Sequence, residues 1–301
     1  MAIRMIRYLQ SLTTHRLRLT THHSRLTILL AALIIAGRAL AADVPPRPSA
    51  GCGASAIDTG GKIERTIVID GVRRSYILDV PARITAGSPV PLLFDFHGFG
   101  HSAAGAWKVS GFRELGARDR FITVYLDGLP VHFFHHGRPF DGAGWEIRNT
   151  ADNRDVQFVR QLLDQLEHTY CIDRARVFAT GFSMGAYFSH LLGCVMADRF
   201  AAIAPVSGGQ VPEPCAPARP VPVLIHHGRQ DDMIDVDQGR QARDRWIALD
   251  HCEAQSHSSC ERHDVCRDGA VVEYCEGDFA HHWPPEATAR VWQFFTQHPM
   301  R

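Results

Sequence analysis

Residues 176–196 read Arg-Val-Phe-Ala-Thr-Gly-Phe-Ser-Met-Gly-Ala-Tyr-Phe-Ser-His-Leu-Leu-Gly-Cys-Val-Met. An apolar run, a Gly-x-Ser-x-Gly turn and a helix-forming run follow one another, which predicts a strand, a sharp turn and a helix. Such a turn holds Ser183 in strained backbone angles, with its hydroxyl clear of the sheet and near the N–H groups that begin the helix. Gly181 and Gly185 lack side chains that would separate the strand from the helix. The stretch predicts an α/β fold with Ser183 as a candidate nucleophile.

The alternation of strand-like and helix-like segments extends along the rest of the chain. Continuously apolar strands such as 91–96 and 201–206 are typical of a parallel sheet that is covered on both faces. Apolar residues recur three or four apart in 152–169, which is the helical period. Further strands are predicted at 66–70, 75–80, 121–127, 176–180, 221–226 and 270–275, and further helices at 102–118, 184–197, 236–250 and 286–297.

We therefore predict one α/β domain over residues 42–301, with a mostly parallel central sheet and helices on both faces. Its first two strands are joined by Asp70-Gly71, which indicates an antiparallel hairpin.

The first 41 residues have the features of a secretory signal peptide. A basic stretch precedes the eleven-residue apolar run 27–37, and Ala39-Leu-Ala41 has the A-x-A form of a cleavage site. The run is shorter than the roughly 20 residues that span a bilayer. We expect cleavage and an extracellular or periplasmic protein without stable membrane insertion, with an uncleaved anchor or a start at Met5 as alternatives.

The charge balance argues against a nucleic-acid partner. Residues 1–42 contain six Arg and no acidic residue, which leaves 26 basic and 32 acidic residues from Asp43 onward, a formal charge of −6. An acidic chain is poorly suited to binding phosphate backbones.

The cysteines agree with export. All eight lie beyond the expected cleavage site, and an even number in an exported chain predicts up to four disulfides among 105 possible connectivities. We expect Cys260 and Cys266 to close one short loop. Cys-x-x-Cys is absent from the sequence, so a zinc ribbon is not supported. The histidines of 131–136 lack a nearby acid or Cys at ligand spacing, and we predict an aromatic wall there and no metal.

A serine nucleophile needs a base, and the base needs an acid that orients it. In this type of fold the chain order is Ser, acid, His. The loop after the strand at 221–226 presents Asp231, which we prefer as the acid over Asp232 and Asp235. The candidate base after the last strand is His281, with His282 as the alternative.

Two backbone N–H groups are expected to stabilise the oxyanion of the reaction. One belongs to Met184, directly after the nucleophile, and the other to Phe99 in the glycine-containing loop after the strand at 91–96. We further expect Trp145, Trp283 and His97 to contact the substrate.

Together these motifs resemble the secreted feruloyl and acetylxylan esterases and the related polyhydroxybutyrate depolymerase-like esterases. The resemblance covers about residues 50–301 and is carried by Gly181-Phe-Ser-Met-Gly185, His97-Gly-Phe-Gly100, His227-Gly-Arg-Gln-Asp231, His281, Ser49-Ala-Gly-Cys-Gly53, Tyr170-Cys-Ile-Asp173 and Pro205-Val-Ser-Gly-Gly209. It implies an α/β-hydrolase fold, hydrolysis of carboxylic esters, and no metal or organic cofactor. Members often have Gly before the catalytic His, whereas this chain has Ala280, so His282 stays an alternative.

The resulting hypothesis is a secreted serine esterase that removes feruloyl or acetyl groups from plant cell-wall polysaccharide through an acyl-enzyme. A polyhydroxyalkanoate depolymerase would use the same residues with a different acyl pocket. A carbohydrate-binding protein on an inactive esterase scaffold is the alternative from another class. Binding without turnover would distinguish it.

Overall fold

A computed structural model describes residues 44–53, 60–82, 84, 87–135, 137–253 and 260–301. The expected signal peptide, residues 1–41, lies outside this part of the chain. Within it, none of the helices combines the length and the apolar character needed to cross a membrane.

The described chain is built around a large mixed sheet. Nine of its strands join in the order β1-β2-β4-β3-β7-β8-β9-β11-β10, and β5 and β6 form a separate hairpin. The strands are β1 (Gly61–Ile69), β2 (Val72–Val80), β3 (Val90–Phe96), β4 (Ile122–Leu126), β5 (Leu129–His135), β6 (Arg138–Gly144), β7 (Ile172–Phe182), β8 (Ala202–Val206), β9 (Val223–Gly228), β10 (Glu261–His263) and β11 (Val272–Gly277).

The strands from β4 to β11 in this order are parallel, whereas β1, β2 and β10 pair antiparallel at the edges. The β1–β2 hairpin turns at Asp70-Gly71, where both residues have positive φ. The predicted hairpin and the mostly parallel sheet are therefore confirmed.

Helices cover both faces of the sheet and enclose two hydrophobic clusters. Phe158 of α3, Phe188 of α4 and Trp246 of α5 are buried on one face, and Phe112 of α2 and Trp292 of α6 on the other. The helices are α1 (Ala103–Val109), α2 (Phe112–Asp119), α3 (Arg154–Thr169), α4 (Met184–Val195), α5 (Val236–Leu249) and α6 (Pro285–Gln297). Their arrangement confirms the predicted layer architecture.

The structure corrects the single helix predicted over 102–118. Gly111 has φ of +72°, a left-handed conformation that ends the helical path, so α1 and α2 are separate. The prediction also omitted β10 and the β5–β6 hairpin, which falls in the segment that we expected to be a loop.

All eight cysteines are paired, but the expected Cys260–Cys266 bridge is wrong. The bridges are Cys52–Cys171, Cys194–Cys215, Cys252–Cys266 and Cys260–Cys275. The antiparallel register pairs Glu261 with Tyr274, so it also brings Cys260 opposite Cys275. Sheet pairing, and not closeness along the chain, selects the partner.

A buried ion pair ties the sheet to α3. Arg74 of β2 and Asp155 in the first turn of α3 approach to 2.6 Å, and both side chains are almost fully buried. The other carboxylate oxygen of Asp155 accepts a hydrogen bond of 2.8 Å from the Glu146 N–H. Asp155 thus joins β2, α3 and the segment that follows β6.

Replacing Asp155 with alanine is expected to lower the free energy of unfolding by about 3–5 kcal/mol, because the Arg74 charge would remain buried without its partner. Urea unfolding followed by circular dichroism measures the change. The exposed neighbour Asp152 provides the control, since Asp152→Ala should change stability by no more than about 0.5 kcal/mol. Equal effects of the two substitutions would contradict the prediction.

Candidate active site

Ser183 lies at the sharp turn between β7 and α4. Its backbone angles are φ 55° and ψ −119°, outside the regions that a serine ordinarily adopts. Helix α4 begins at the next residue, Met184. The local order of strand, strained serine and helix agrees with the expectation from the Gly-x-Ser-x-Gly motif.

The two glycines of the motif lie against backbone. A Cβ at Gly185 would lie 2.0 Å from the Phe96 carbonyl oxygen, and one at Gly181 would lie 2.5 Å from the Gly185 carbonyl oxygen. Either contact is too short to exist, so the start of α4 could not stay packed against the end of β3.

We expect Gly185→Ala to abolish folding or to lower activity by at least about 100-fold, because displacing Ser183 by roughly 1 Å is enough for such a loss. Expression yield, thermal unfolding and ester hydrolysis report the effect. Gly53→Ala is the matched control, since a Cβ at Gly53 has no heavy atom within 4 Å. A Gly185→Ala protein with wild-type stability and activity would contradict this account of the turn.

His281 and Asp231 lie in line with Ser183, although they come from different loops. His281 Nε2 lies 3.0 Å from Ser183 Oγ, and His281 Nδ1 lies 2.8 Å from Asp231 Oδ2. Asp231 follows β9, His281 follows β11, and Ser183 follows β7. The carboxyl ends of these parallel strands meet at one edge of the sheet, which brings the three side chains together.

Asp231 is held in a fixed orientation by its surroundings. Its Oδ1 accepts hydrogen bonds from the N–H groups of Met233 at 3.0 Å and Ile234 at 2.8 Å. His227 Nε2 lies 3.0 Å from the Ile234 carbonyl oxygen and 3.5 Å from Asp231 Oδ2. Burial by itself would raise the pKa of Asp231, but the hydrogen bonds from His227, His281 and the Ile234 N–H lower it well below its usual range. The carboxylate facing His281 therefore stays ionised.

The alternatives weighed from the sequence lie elsewhere. His282 lines the same cavity, but its ring packs near Phe279. Asp232 is exposed, and Asp235 caps α5 by accepting a hydrogen bond from the Asp237 N–H. Among these residues, His281 and Asp231 are the ones hydrogen bonded in line with Ser183.

Two loops supply the backbone N–H groups that the sequence suggested for the oxyanion. Met184 begins α4, where the first N–H groups have no acceptor within the helix. Phe99 lies in the turn after β3, and both residues line the cavity beside Ser183. The β5–β6 hairpin packs on this turn, because Gly142 and Gly144 leave room for the Phe99 ring.

Trp145 does not contact this cavity, which corrects the expected substrate contact. It is 1% exposed, and its ring stacks on Phe188 with the centroids 5.2 Å apart. Its Nε1 donates a hydrogen bond of 2.8 Å to the His97 carbonyl oxygen. Trp145 therefore supports the loop after β3 from below.

His97 and Trp283 both line the cavity. His97 is nevertheless buried, with Nδ1 2.7 Å from the Gly98 carbonyl oxygen and Nε2 accepting a hydrogen bond of 2.9 Å from the Gly128 N–H. Both ring nitrogens therefore hold the backbone beside Phe99. Trp283 Nε1 donates to Thr288 Oγ1 at 3.0 Å, which leaves the Trp283 ring as a wall of the cavity.

The cavity has a volume of about 640 Å³ and extends from Ser183 along α1 and the segment 281–283. Its lining includes three large apolar side chains that are exposed to solvent, Val109, Phe140 and Met233. The sequence analysis missed all three, because an isolated apolar residue carries no pattern that assigns it to a cleft. Cavities of this volume with mostly apolar walls are typical of small-molecule sites.

Metal ligation has little support in the described residues. The one group of His, Cys, Asp and Glu there with suitably close ligand atoms is Cys260, Glu273 and Cys275. The two cysteines form a disulfide, so their sulfurs are not available as thiolate ligands. In the segment proposed as an aromatic wall, His132 Nδ1 lies 2.8 Å from Asp141 Oδ1, and Phe140 of the same hairpin, rather than His132, lines the cavity.

Comparison with known proteins follows the same lines. The family model described as phospholipase/carboxylesterase matches residues 91–269. Feruloyl esterase D of Neurospora crassa is 30% identical over 232 residues, which are 73% of this chain and 74% of that protein. Feruloyl esterase B of Piromyces equi is 28% identical over 67% of this chain, but the chain spans only 41% of its length.

The fold also matches solved structures. An acetyl xylan esterase from Aspergillus awamori superimposes with a TM-score of 0.60 and 14% identity, over 78% of this chain and 99% of that one. The family model covers more than half of the chain, and the Neurospora relative is matched over most of both proteins. The chain therefore belongs to the phospholipase/carboxylesterase family and has the α/β-hydrolase fold.

Proposed function

We propose that this protein is a secreted serine carboxylesterase that removes feruloyl or acetyl groups from plant cell-wall polysaccharide. The observation that carries the proposal is the continuous hydrogen-bonded arrangement of Ser183, His281 and Asp231 at the wall of an open cavity. A nucleophile, a base and an orienting acid in this order are the parts that serine esterases require.

In the proposed mechanism, Ser183 Oγ attacks the carbonyl carbon of the ester while His281 Nε2 takes the hydroxyl proton. The ionised Asp231 keeps the remaining proton of His281 on Nδ1 and stabilises the imidazolium. The N–H groups of Met184 and Phe99 donate to the oxyanion of the tetrahedral intermediate.

His281 then gives its proton to the departing alcohol oxygen, which leaves the acyl group bonded to Ser183. A water molecule attacks this acyl-enzyme while His281 takes one of its protons. The second tetrahedral intermediate collapses, releases the carboxylic acid and returns the proton to Ser183. The cycle needs no redox partner.

The substrate class is supported by the relatives and by the cavity. The relatives are named feruloyl esterases, and the superimposed structure is an acetyl xylan esterase. The exposed Val109, Phe140 and Met233 line the cavity and give it an apolar surface that suits an acyl group. Four disulfides support an exported protein, because such bridges persist in oxidising compartments.

Steady-state hydrolysis of methyl ferulate, p-nitrophenyl acetate and 3-hydroxybutyrate oligomers by the oxidised protein tests the proposal. We expect turnover of the first two esters at higher kcat/KM than of the oligomers. Preferential cleavage of the oligomers would assign the protein to polyester degradation instead. Binding of xylan without hydrolysis of any ester would favour the carbohydrate-binding alternative and overturn the proposal.

A further inference from the structure

The end of the cavity beneath α1 is polar, in contrast to its apolar walls. Asp95 of β3 and Ser110 at the end of α1 both line the cavity, and they are only 2% and 3% exposed. Asp95 Oδ2 and Ser110 Oγ are buried, and neither forms a well-aligned hydrogen bond with another described residue. Neither residue has a part in the proposed mechanism.

A second row of polar groups lies behind this end. Tyr125 of β4 pairs with Asp95 across the sheet, and Thr123 pairs with Leu93 on the same strands. The Tyr125 hydroxyl and Thr123 Oγ1 are also buried without a well-aligned hydrogen bond in the described chain. Burial raises the pKa of Asp95 to about 7, and the neighbouring Ser110 hydroxyl opposes this rise only in part.

Buried polar groups of this kind require an explanation. Leaving a donor or acceptor unpaired costs about 1–3 kcal/mol, and nearly all such groups in folded proteins are paired. Apolar residues at these positions would avoid that cost, as Leu93 does on the same strand. Because Asp95 and Ser110 face the cavity, a ligand inside it can provide the missing partner.

We propose that Asp95 and Ser110 form a recognition site for a hydroxyl group on the acyl part of the substrate, which would make the protein selective for hydroxylated aryl esters. This inference rests on the proposed esterase function. The acyl part is assigned to this end because an alcohol attached to a polysaccharide is too large to enter a buried recess. The aromatic rings of Phe182 and Trp283 line the same cavity and suit an aryl group.

The chemistry of the two side chains fits a hydroxyl group. A protonated carboxyl group and a serine hydroxyl each donate and accept hydrogen bonds, and a phenolic hydroxyl does the same. An acyl group without a hydroxyl would leave both side chains unpaired in the filled cavity. Sites built to hydrogen bond a substrate hydroxyl reject the analogue that lacks it for this reason.

The test compares kcat/KM for methyl 4-hydroxycinnamate and methyl cinnamate, which differ only in the hydroxyl group. We expect wild type to prefer the hydroxylated ester by about 10- to 100-fold, the loss that one unpaired buried group causes. Asp95→Leu should bring the ratio close to one, and Asp95→Asn should retain more of the preference because its amide still hydrogen bonds. Ser110→Ala should lower the ratio as well.

Thr123→Val is the matched control, because it removes a buried polar atom of the same cluster that does not line the cavity. It should keep the wild-type ratio. Circular dichroism verifies folding, and Ser110→Ala decides the outcome if Asp95→Leu does not fold.

Equal kcat/KM for the two esters in wild type would overturn the inference, as would an unchanged preference in folded Asp95→Leu or Ser110→Ala. Hydrolysis of p-nitrophenyl acetate separates the two levels of the argument. If wild type cleaves it without preferring hydroxylated esters, only the recognition site is wrong. If wild type cleaves no ester, the proposed function fails and the recognition site with it.

Discussion

Replacing Ser183 with alanine is expected to lower kcat for ester hydrolysis by about 10⁶-fold, as in other enzymes that lose the nucleophile of a triad. The proposed covalent step needs Ser183 Oγ, which lies 3.0 Å from the nitrogen that would accept its proton. Substrate binding should change little, because alanine leaves the cavity walls in place. Single-turnover and steady-state assays with p-nitrophenyl acetate measure the loss.

Ser189→Ala is the matched control for this substitution. Ser189 lies on the same helix, and its buried hydroxyl donates 2.9 Å to the Gly185 carbonyl oxygen. Removing it should lower stability by about 1 kcal/mol, as for a typical hydrogen bond, without a comparable loss of kcat. If Ser183→Ala retained more than a few per cent of wild-type activity, the nucleophile would have to be another residue.

Asp231→Asn is expected to lower kcat by about 10⁴-fold, the loss known for the corresponding change in another triad. An asparagine amide can present its N–H₂ group to His281 Nδ1, which would then carry no proton. The proton would move to Nε2, and that nitrogen could no longer accept the proton of Ser183. The pH dependence of kcat/KM, together with kcat at the optimum, tests this explanation.

Asp232→Asn provides the control at the neighbouring position. Asp232 is exposed, so the substitution should leave kcat within about twofold of wild type, since a surface change of this kind alters energies by about 0.5 kcal/mol or less. A large loss in Asp232→Asn with a small one in Asp231→Asn would reverse the assignment of the acid.

The fold was largely readable from local patterns. Apolar strands, the helical period and the Gly-x-Ser-x-Gly turn depend on neighbours within about 20 residues, so they predicted the mostly parallel sheet and the position of Ser183 correctly. The β5–β6 hairpin escaped prediction because its glycines have a packing role. Gly142 and Gly144 accommodate the Phe99 ring, which belongs to a loop about 40 residues earlier.

The order Ser, acid, His in the chain narrowed the candidate site to a few residues, but it could not distinguish adjacent side chains. His281 and His282 are chemically identical, and only the path of the backbone after β11 turns His281 toward Ser183. Trp145 shows the same limit, because a tryptophan suits a hydrophobic core as well as a substrate cleft. Its contacts with Phe188 and the His97 carbonyl place it in the core.

The sequence of this protein therefore specified its class, its order of elements and the kinds of residue available for chemistry, because these follow from short-range periodicity and from motifs. Contacts between distant segments decided the disulfide partner of Cys260, the orientation of His281 and the burial of Asp95 beside the cavity. Asp95 lies in a strand that is otherwise apolar, and no local pattern distinguishes a buried carboxyl from an exposed one. Its surroundings come from β4 and α1, which only the packing of the whole chain brings together.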